Sequence, residues 1–172
     1  MHDPALSTAQ HRELIEALAL SHVLPHDTLP VEECLGRRLA VDVSSLIPLP
    51  PFTNSAMDGF AVRREDLEGE GPWTLPVAGD IPAGDTRENH LEKGQAWRIM
   101  TGAPIPQGAD TVVKVEHTDH AAGVAQAPDS VEIRVAPKLG ANVRVAGEAL
   151  EAGSPVLAAG KILDGTALSA AS

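Results

Sequence analysis

A single carboxylate, Asp58, stands in the stretch PLPPFTNSAMDGFAV (residues 48–62), between Met57 and Gly59. Three prolines, Pro48, Pro50 and Pro51, restrict φ ahead of it, and Asn54 and Ser55 can bond nearby backbone to make a turn. Such a segment can hold one acid still for chemistry. It can equally be a turn and nothing more, because Asp-Gly is among the commonest tight-turn pairs. A second stretch, RIMTGAPIPQGADTVV (residues 98–113), offers the hydroxyl of Thr101 beside Gly102, where a ligand could approach the backbone closely. Its other use is a connection between strands, braced by Pro104 and Pro106. Glu116, His117 and His120 are metal-ligand types, but they precede Ala121-Ala-Gly123 and suit a solvated hairpin end. Residues 140–149, GANVRVAGEA, suit a strand edge with a polar turn. No phosphate-cradling glycine loop, dinucleotide fingerprint or Ser-His-Asp signature occurs.

The elements that would carry these groups can be read from apolar spacing. Ser7-Thr-Ala-Gln10 has the form of a capping box, and Leu14, Ile15, Leu18 and Ala19 share one helical face, which predicts a helix over about Ser7 to Ser21. A helical turn is expected at Val31 to Leu35, between Pro30 and Gly36. Two-residue alternation then predicts strands through Leu39, Val41 and Val43, through Trp73, Leu75 and Val77, through Thr111, Val113 and Val115, and through Val131, Ile133 and Val135. Phe52, Met57 and Phe60 are expected to pin the proline-rich loop to a core. Ala152-Gly153 and Ala159-Gly160 mark tight turns beside short apolar pieces, Pro155-Val-Leu157 and Ile162-Leu163. No capping or closing signal is read after Ala167-Leu168.

At 172 residues the chain can bury a core in one domain or two small ones. Its 24 acidic and 13 basic residues leave a formal charge of -11, and it has four aromatic residues, none of them tyrosine. Neither a basic stripe nor stacking platforms are available, which argues against a nucleic-acid partner. A lone Cys34 allows no internal disulfide and suits a reducing cytoplasm, where a small buried thiol is its ordinary use. No apolar run reaches membrane-spanning length, and residues 1–25 lack the pattern of a signal peptide. A soluble, cytoplasmic protein with no membrane partner is the expectation.

The two proline-rich stretches, followed by GANVRVAGE (residues 140–148), closely resemble the N-terminal region of the molybdopterin molybdenumtransferase (MoeA) family, which is related to the gephyrin E domain. The resemblance extends from the leading helix through PVEECLGRRLAVDV (residues 30–43) to the final turns. It implies an α+β, predominantly β fold: an N-terminal helical segment (1–26), a discontinuous β-rich domain (27–47 and 142–172) and a second β-rich domain inserted between its halves (48–141). Family members continue into a pterin-binding domain and a small C-terminal domain, both absent from this chain, so it is expected to be a fragment.

The resemblance further implies molybdenum cofactor biosynthesis: insertion of molybdate into adenylylated molybdopterin with magnesium, by a homodimer in which the inserted domain of one subunit faces the pterin-binding domain of the other. The matched positions are Asp58, as catalytic group and magnesium ligand, Thr101, as catalytic group able to bond an oxyanion, and Gly102, which leaves room for the bound cofactor. The isolated chain is expected to be inactive. One departure is Ala149 after Gly147-Glu148, where family members usually carry Asp; Glu148 could compensate, or the position could be structural. Two alternatives remain: a gephyrin-like dimerisation and interaction scaffold without catalysis, and an unrelated acidic β domain.

Overall fold

The computed structural model describes residues 6–22, 25–121, 123 and 127–172. Its contacts divide the chain into two compact units, Met1–Val43 with Val156–Ser172, and Ser44–Pro155. Strand β1 (Val43–Ser44) pairs with β9 (Pro155–Leu157). Among the described residues, two α-helices and mostly short strands make the fold α+β and predominantly β. No helix among the described residues is long and apolar enough to cross a membrane.

In the first unit, α1 spans Thr8–Ser21 and begins at the expected capping box: the Gln10 N–H donates to Ser7 Oγ and the Ser7 N–H to Gln10 Oε1. None of the helix's residues is buried. The turn read at Val31–Leu35 is a 3-10 turn at Val31–Glu33. The strand read over Leu39–Val43 shortens to Val43–Ser44, and Val41 is 67% exposed. Side chain and turn replace the ladder here: Asp42 Oδ1 accepts the Ala159 N–H at 2.7 Å, and Leu39 exchanges backbone bonds with Lys161 and Gly160. Leu157, Leu163 and Ala167 form the small core, with half-buried Cys34 packed against it. A short helix that the sequence reading does not anticipate, α2 (Gly165–Ala171), is started by Asp164, whose carboxylate accepts the Ala167 N–H at 2.8 Å.

The second unit centres on five strands, β3 (Gly59–Val62), β4 (Trp73–Ile81), β5 (Ala96–Ile99), β6 (Thr111–Lys114) and β7 (Ser130–Ile133), in the order β6-β3-β5-β4-β7. Neighbours are antiparallel except β4 and β5, which are parallel. A two-residue pair, β2 (Asn54–Ser55) with β8 (Val143–Arg144), lies outside this sheet. Both faces of the sheet are covered. Phe60, Val62, Val113, Val131 and Ile133 belong to one buried cluster, and Ala61, Ile81, Ile99 and Val112 to the other. Strands buried on both sides read as continuous apolar runs, which is why β3 and β5 show no alternation in the sequence.

Phe60 is buried as expected, but Phe52 is 46% and Met57 37% exposed, so neither anchors the proline-rich loop. Polar bonds hold it instead. Leu49 donates to the Leu150 carbonyl at 2.7 Å, Pro50 accepts from Gly147 at 3.0 Å, and Thr53 Oγ1 accepts from the Ala146 N–H at 3.2 Å. Leu49–Pro50 is a cis peptide bond.

The tightest constraint is at Gly59. A Cβ there would stand 2.0 Å from the Val113 carbonyl oxygen, a backbone atom that cannot swing away. Gly59→Ala should therefore cost at least about 2 kcal/mol in urea unfolding of this unit. Phe52→Ala, lacking full burial, should lose well under the roughly 3–5 kcal/mol of a buried phenylalanine. Equal losses at both positions would contradict this packing.

Candidate functional site

β3 and β5 run antiparallel with Gly59 opposite Ile99, which brings the residue just before one strand beside the residues just after the other. Asp58 is thus carried to Thr101, 43 positions away. The Thr101 N–H donates to Asp58 Oδ1 at 2.7 Å and the Thr101 hydroxyl donates to the same oxygen at 2.6 Å. Asp58 Oδ2 accepts no hydrogen bond from a described residue. The Val115 N–H donates to the Asp58 carbonyl at 3.1 Å, so the backbone of Asp58 is tied to the strand side as well.

The turn after Thr101 is closed by Gly102, with φ at +81°, a region that favours glycine. The Gly102 N–H donates to the Ser55 carbonyl at 2.8 Å, and the Ser55 N–H to the Ala103 carbonyl at 3.0 Å. A Cβ on Gly102 would meet nothing within 4 Å, so the space beside it is open. All three residues singled out in the sequence meet in one place.

Electrostatics favour an ionised Asp58. The hydroxyl and then the amide of Thr101 hold its carboxyl below the usual range; burial opposes them weakly, and the Arg98 guanidinium assists. Arg98 is buried on β5, pairs with Asp80 at 3.3 Å, and lines a small cleft with Asp58, Met100 and His120. Its signal in the sequence was a lone cation inside the apolar run Ala96–Ile99. Ser55 was legible only as a turn former.

The other candidates form no metal cluster among the described residues, although His120 lines the cleft beside Asp58. Among the described residues no three His, Cys, Asp or Glu side chains come close enough to share a metal ion, so Glu116, His117 and His120 form no such cluster. His120 Nε2 lies 3.0 Å from the Ser130 carbonyl and its ring is 5.8 Å from Phe60. The turn read at Ala121–Gly123 falls partly outside the described residues. Glu148 Oε2 accepts the Val145 N–H at 3.0 Å and closes its own turn, a local structural use.

The family model for the MoeA N-terminal region (domain I and II) matches residues 6–172. The chain belongs to the MoeA N-terminal region family. Among relatives of this MoeA N-terminal region, molybdopterin molybdenumtransferase 2 of Mycobacterium tuberculosis is 47% identical over 139 residues, covering 79% of this chain and 33% of that protein. The molybdopterin molybdenumtransferase of a Nostoc species is 38% identical over 159 residues, covering 91% and 32%. A crystal structure of the molybdopterin biosynthesis moeA protein from Pyrococcus horikoshii superposes with a TM-score of 0.73 at 30% identity, covering 83% of this chain and 37% of that one. This MoeA N-terminal region therefore spans about a third of the length of those curated relatives.

The Asp58–Thr101 bond predicts a pH signature. A carboxylate with a depressed folded pKa adds stability that is present above its unfolded value, about 3.9, and lost as pH falls through the folded value. Thr101→Val removes the hydroxyl bond and keeps the amide bond, so the Asp58 pKa should rise towards the ordinary value in a carbon-detected NMR titration. The stability difference between the parent chain and Thr101→Val should be full at neutral pH and shrink in acid. An Asp58 pKa unmoved by the substitution would refute the role given to the hydroxyl.

Proposed function

We propose that this chain supplies the N-terminal part of a cytoplasmic molybdopterin molybdenumtransferase, with residues 48–141 as its inserted β-rich domain between segments 27–47 and 142–172. In this reading the whole protein inserts molybdate into adenylylated molybdopterin as a homodimer, and Asp58 contributes to a site completed by the pterin-binding domain of the other subunit. The observation that carries the reading is the Asp58 carboxylate, bonded twice by Thr101 and presented where β3 begins beside the end of β5, in a chain whose family is shown. Transferase names on the relatives favour it over a gephyrin-like scaffold.

A bare Asp58 would repel molybdate or phosphate by about 1 kcal/mol per unit-charge pair at roughly 4 Å in water. Asp58 Oδ2, with no described hydrogen bond, can meet a cation. No third acidic or histidine ligand is gathered beside it among the described residues, which fits an ion that takes most of its ligands from substrate and water, as magnesium does. Bound there, magnesium would supply positive charge between the carboxylate and an anionic substrate. The Thr101 hydroxyl already donates its one hydrogen bond to Asp58, so its contribution is to hold and orient that carboxylate, with the oxyanion-donor role set aside. Gly102 leaves open space beside the pair. The 172-residue chain alone is expected to be inactive, because one carboxylate arm does not bind the pterin.

The test uses the full-length parent protein. Asp58→Asn should fold normally and lose about a hundredfold or more of molybdate insertion. Asp58→Ala in one subunit, combined with a subunit defective only in its pterin-binding domain, should recover up to about half of wild-type activity per heterodimer, because a two-fold interface then assembles one intact site. A verified heterodimer as inactive as its two parents would overturn the shared site, and normal turnover by Asp58→Asn would leave the carboxylate a turn residue.

A further inference from the structure

We propose that Ser55 is the positioning residue of the Asp58–Thr101 pair, holding the chain on both sides of it at once. This rests on the reading of that pair given above. Ser55 has no solvent exposure. Its hydroxyl donates to the Met57 carbonyl at 2.6 Å and accepts from the Met57 N–H at 3.3 Å. The Met57 carbonyl belongs to the peptide plane that leads into Asp58, so the hydroxyl fixes the direction from which the carboxylate leaves the backbone. The main chain of Ser55 grips the other arm: its carbonyl accepts from Gly102 and its N–H donates to Ala103, immediately after Thr101.

Ser55 is itself held in place. It lies in β2 opposite Val143, and the next residue, Ala56, donates to the Asn142 carbonyl at 2.9 Å. Asn142 has φ at +58° and its side-chain amide donates to the Val112 carbonyl at 2.8 Å, which joins this pair to the edge strand β6. The connection therefore runs from the sheet through Asn142 and Ala56 to Ser55, and from Ser55 to both halves of the site. Any residue with a backbone N–H can make the two main-chain bonds at position 55. Only a hydroxyl of this size makes the pair of bonds to Met57, so the side chain can be tested separately from the strand.

The experiment is site-resolved amide exchange on the 172-residue chain. Ser55→Ala should speed exchange of the Thr101 amide by about tenfold, as Asp58 loosens and its bond to that amide opens more often. The Leu91 and Arg134 amides, bonded to the Gln107 and His117 carbonyls in the same unit, should stay within about twofold. Ser55→Thr, which keeps the hydroxyl, should restore Thr101. Should Ser55→Ala fail to fold, Ser55→Cys, with a weaker donor of similar size, should show the same local effect at smaller amplitude. In the full-length parent, Ser55→Ala should lower kcat while KM stays within about twofold, the pattern of a misaimed group with its binding surface intact. Exchange at Thr101 needs no turnover, so it stands or fails separately from the molybdenum-insertion reading. A uniform rise in exchange across Thr101, Leu91 and Arg134, or none at Thr101, would overturn the proposal and leave Ser55 a packing residue.

Discussion

The close approach of β3 to β6 at Gly59 is the constraint on which the second unit depends. With a Cβ excluded by the Val113 carbonyl, β3 can sit between β6 and β5 with both faces buried, and its register is set on both sides. A one-residue slip would exchange Phe60 and Val62 with Ala61, moving large side chains into the wrong cluster. Because that register is fixed, the residue entering β3 and the residues leaving β5 must meet. The candidate site is thus a consequence of strand pairing, and the loop prolines contribute less than the sheet does.

Electrostatics add selectivity to that geometry. The chain carries a large negative charge, which does not by itself attract an anionic substrate. What distinguishes Asp58 from the many other acids is its surroundings. One oxygen is filled by two donors from Thr101, Arg98 stands near enough to favour the ionised form, and the second oxygen accepts no hydrogen bond from a described residue. Asp85 is also held ionised, by Arg87 bonded through its guanidinium and its amide, but both of its oxygens are used in that loop. Comparing the two acids separates a carboxylate spent on local structure from one with an oxygen left for a ligand.

Much of this is legible in the sequence. Ser7 and Gln10 announce α1, and alternation finds β4 and β7, whose burial varies along the strand, and β6, where Lys114 stands between Val113 and Val115 although residues 111–113 are all buried. β3 and β5 escaped because strands covered on both faces have no period of two to detect. The loop's apolar residues were misread for the opposite reason: Phe52 and Met57 are large enough to anchor a loop, but backbone and hydroxyl bonds had already taken that role. Asp164 was passed over because a seven-residue helix offers almost no periodicity behind its cap. As for the site, the resemblance named Asp58, Thr101 and Gly102, yet their mutual bond lies between positions 43 apart and belongs to topology, which local pattern does not carry.

An exposed carboxylate and an exposed threonine would ordinarily each sample several rotamers, and a ligand that needed one arrangement would have to bear the cost of freezing both. Here that ordering is completed during folding. Thr101 selects one Asp58 rotamer by bonding the same oxygen twice, and Ser55 restrains the backbone on either side of the pair. Among the described residues Asp58 is the one carboxylate at this place, and a single carboxylate oxygen holds a cation only weakly. In the proposed shared site such a group would meet the rest of its ligands on another surface: the geometry would be prepared in advance, and affinity would come from the ligands that the other surface and the substrate add.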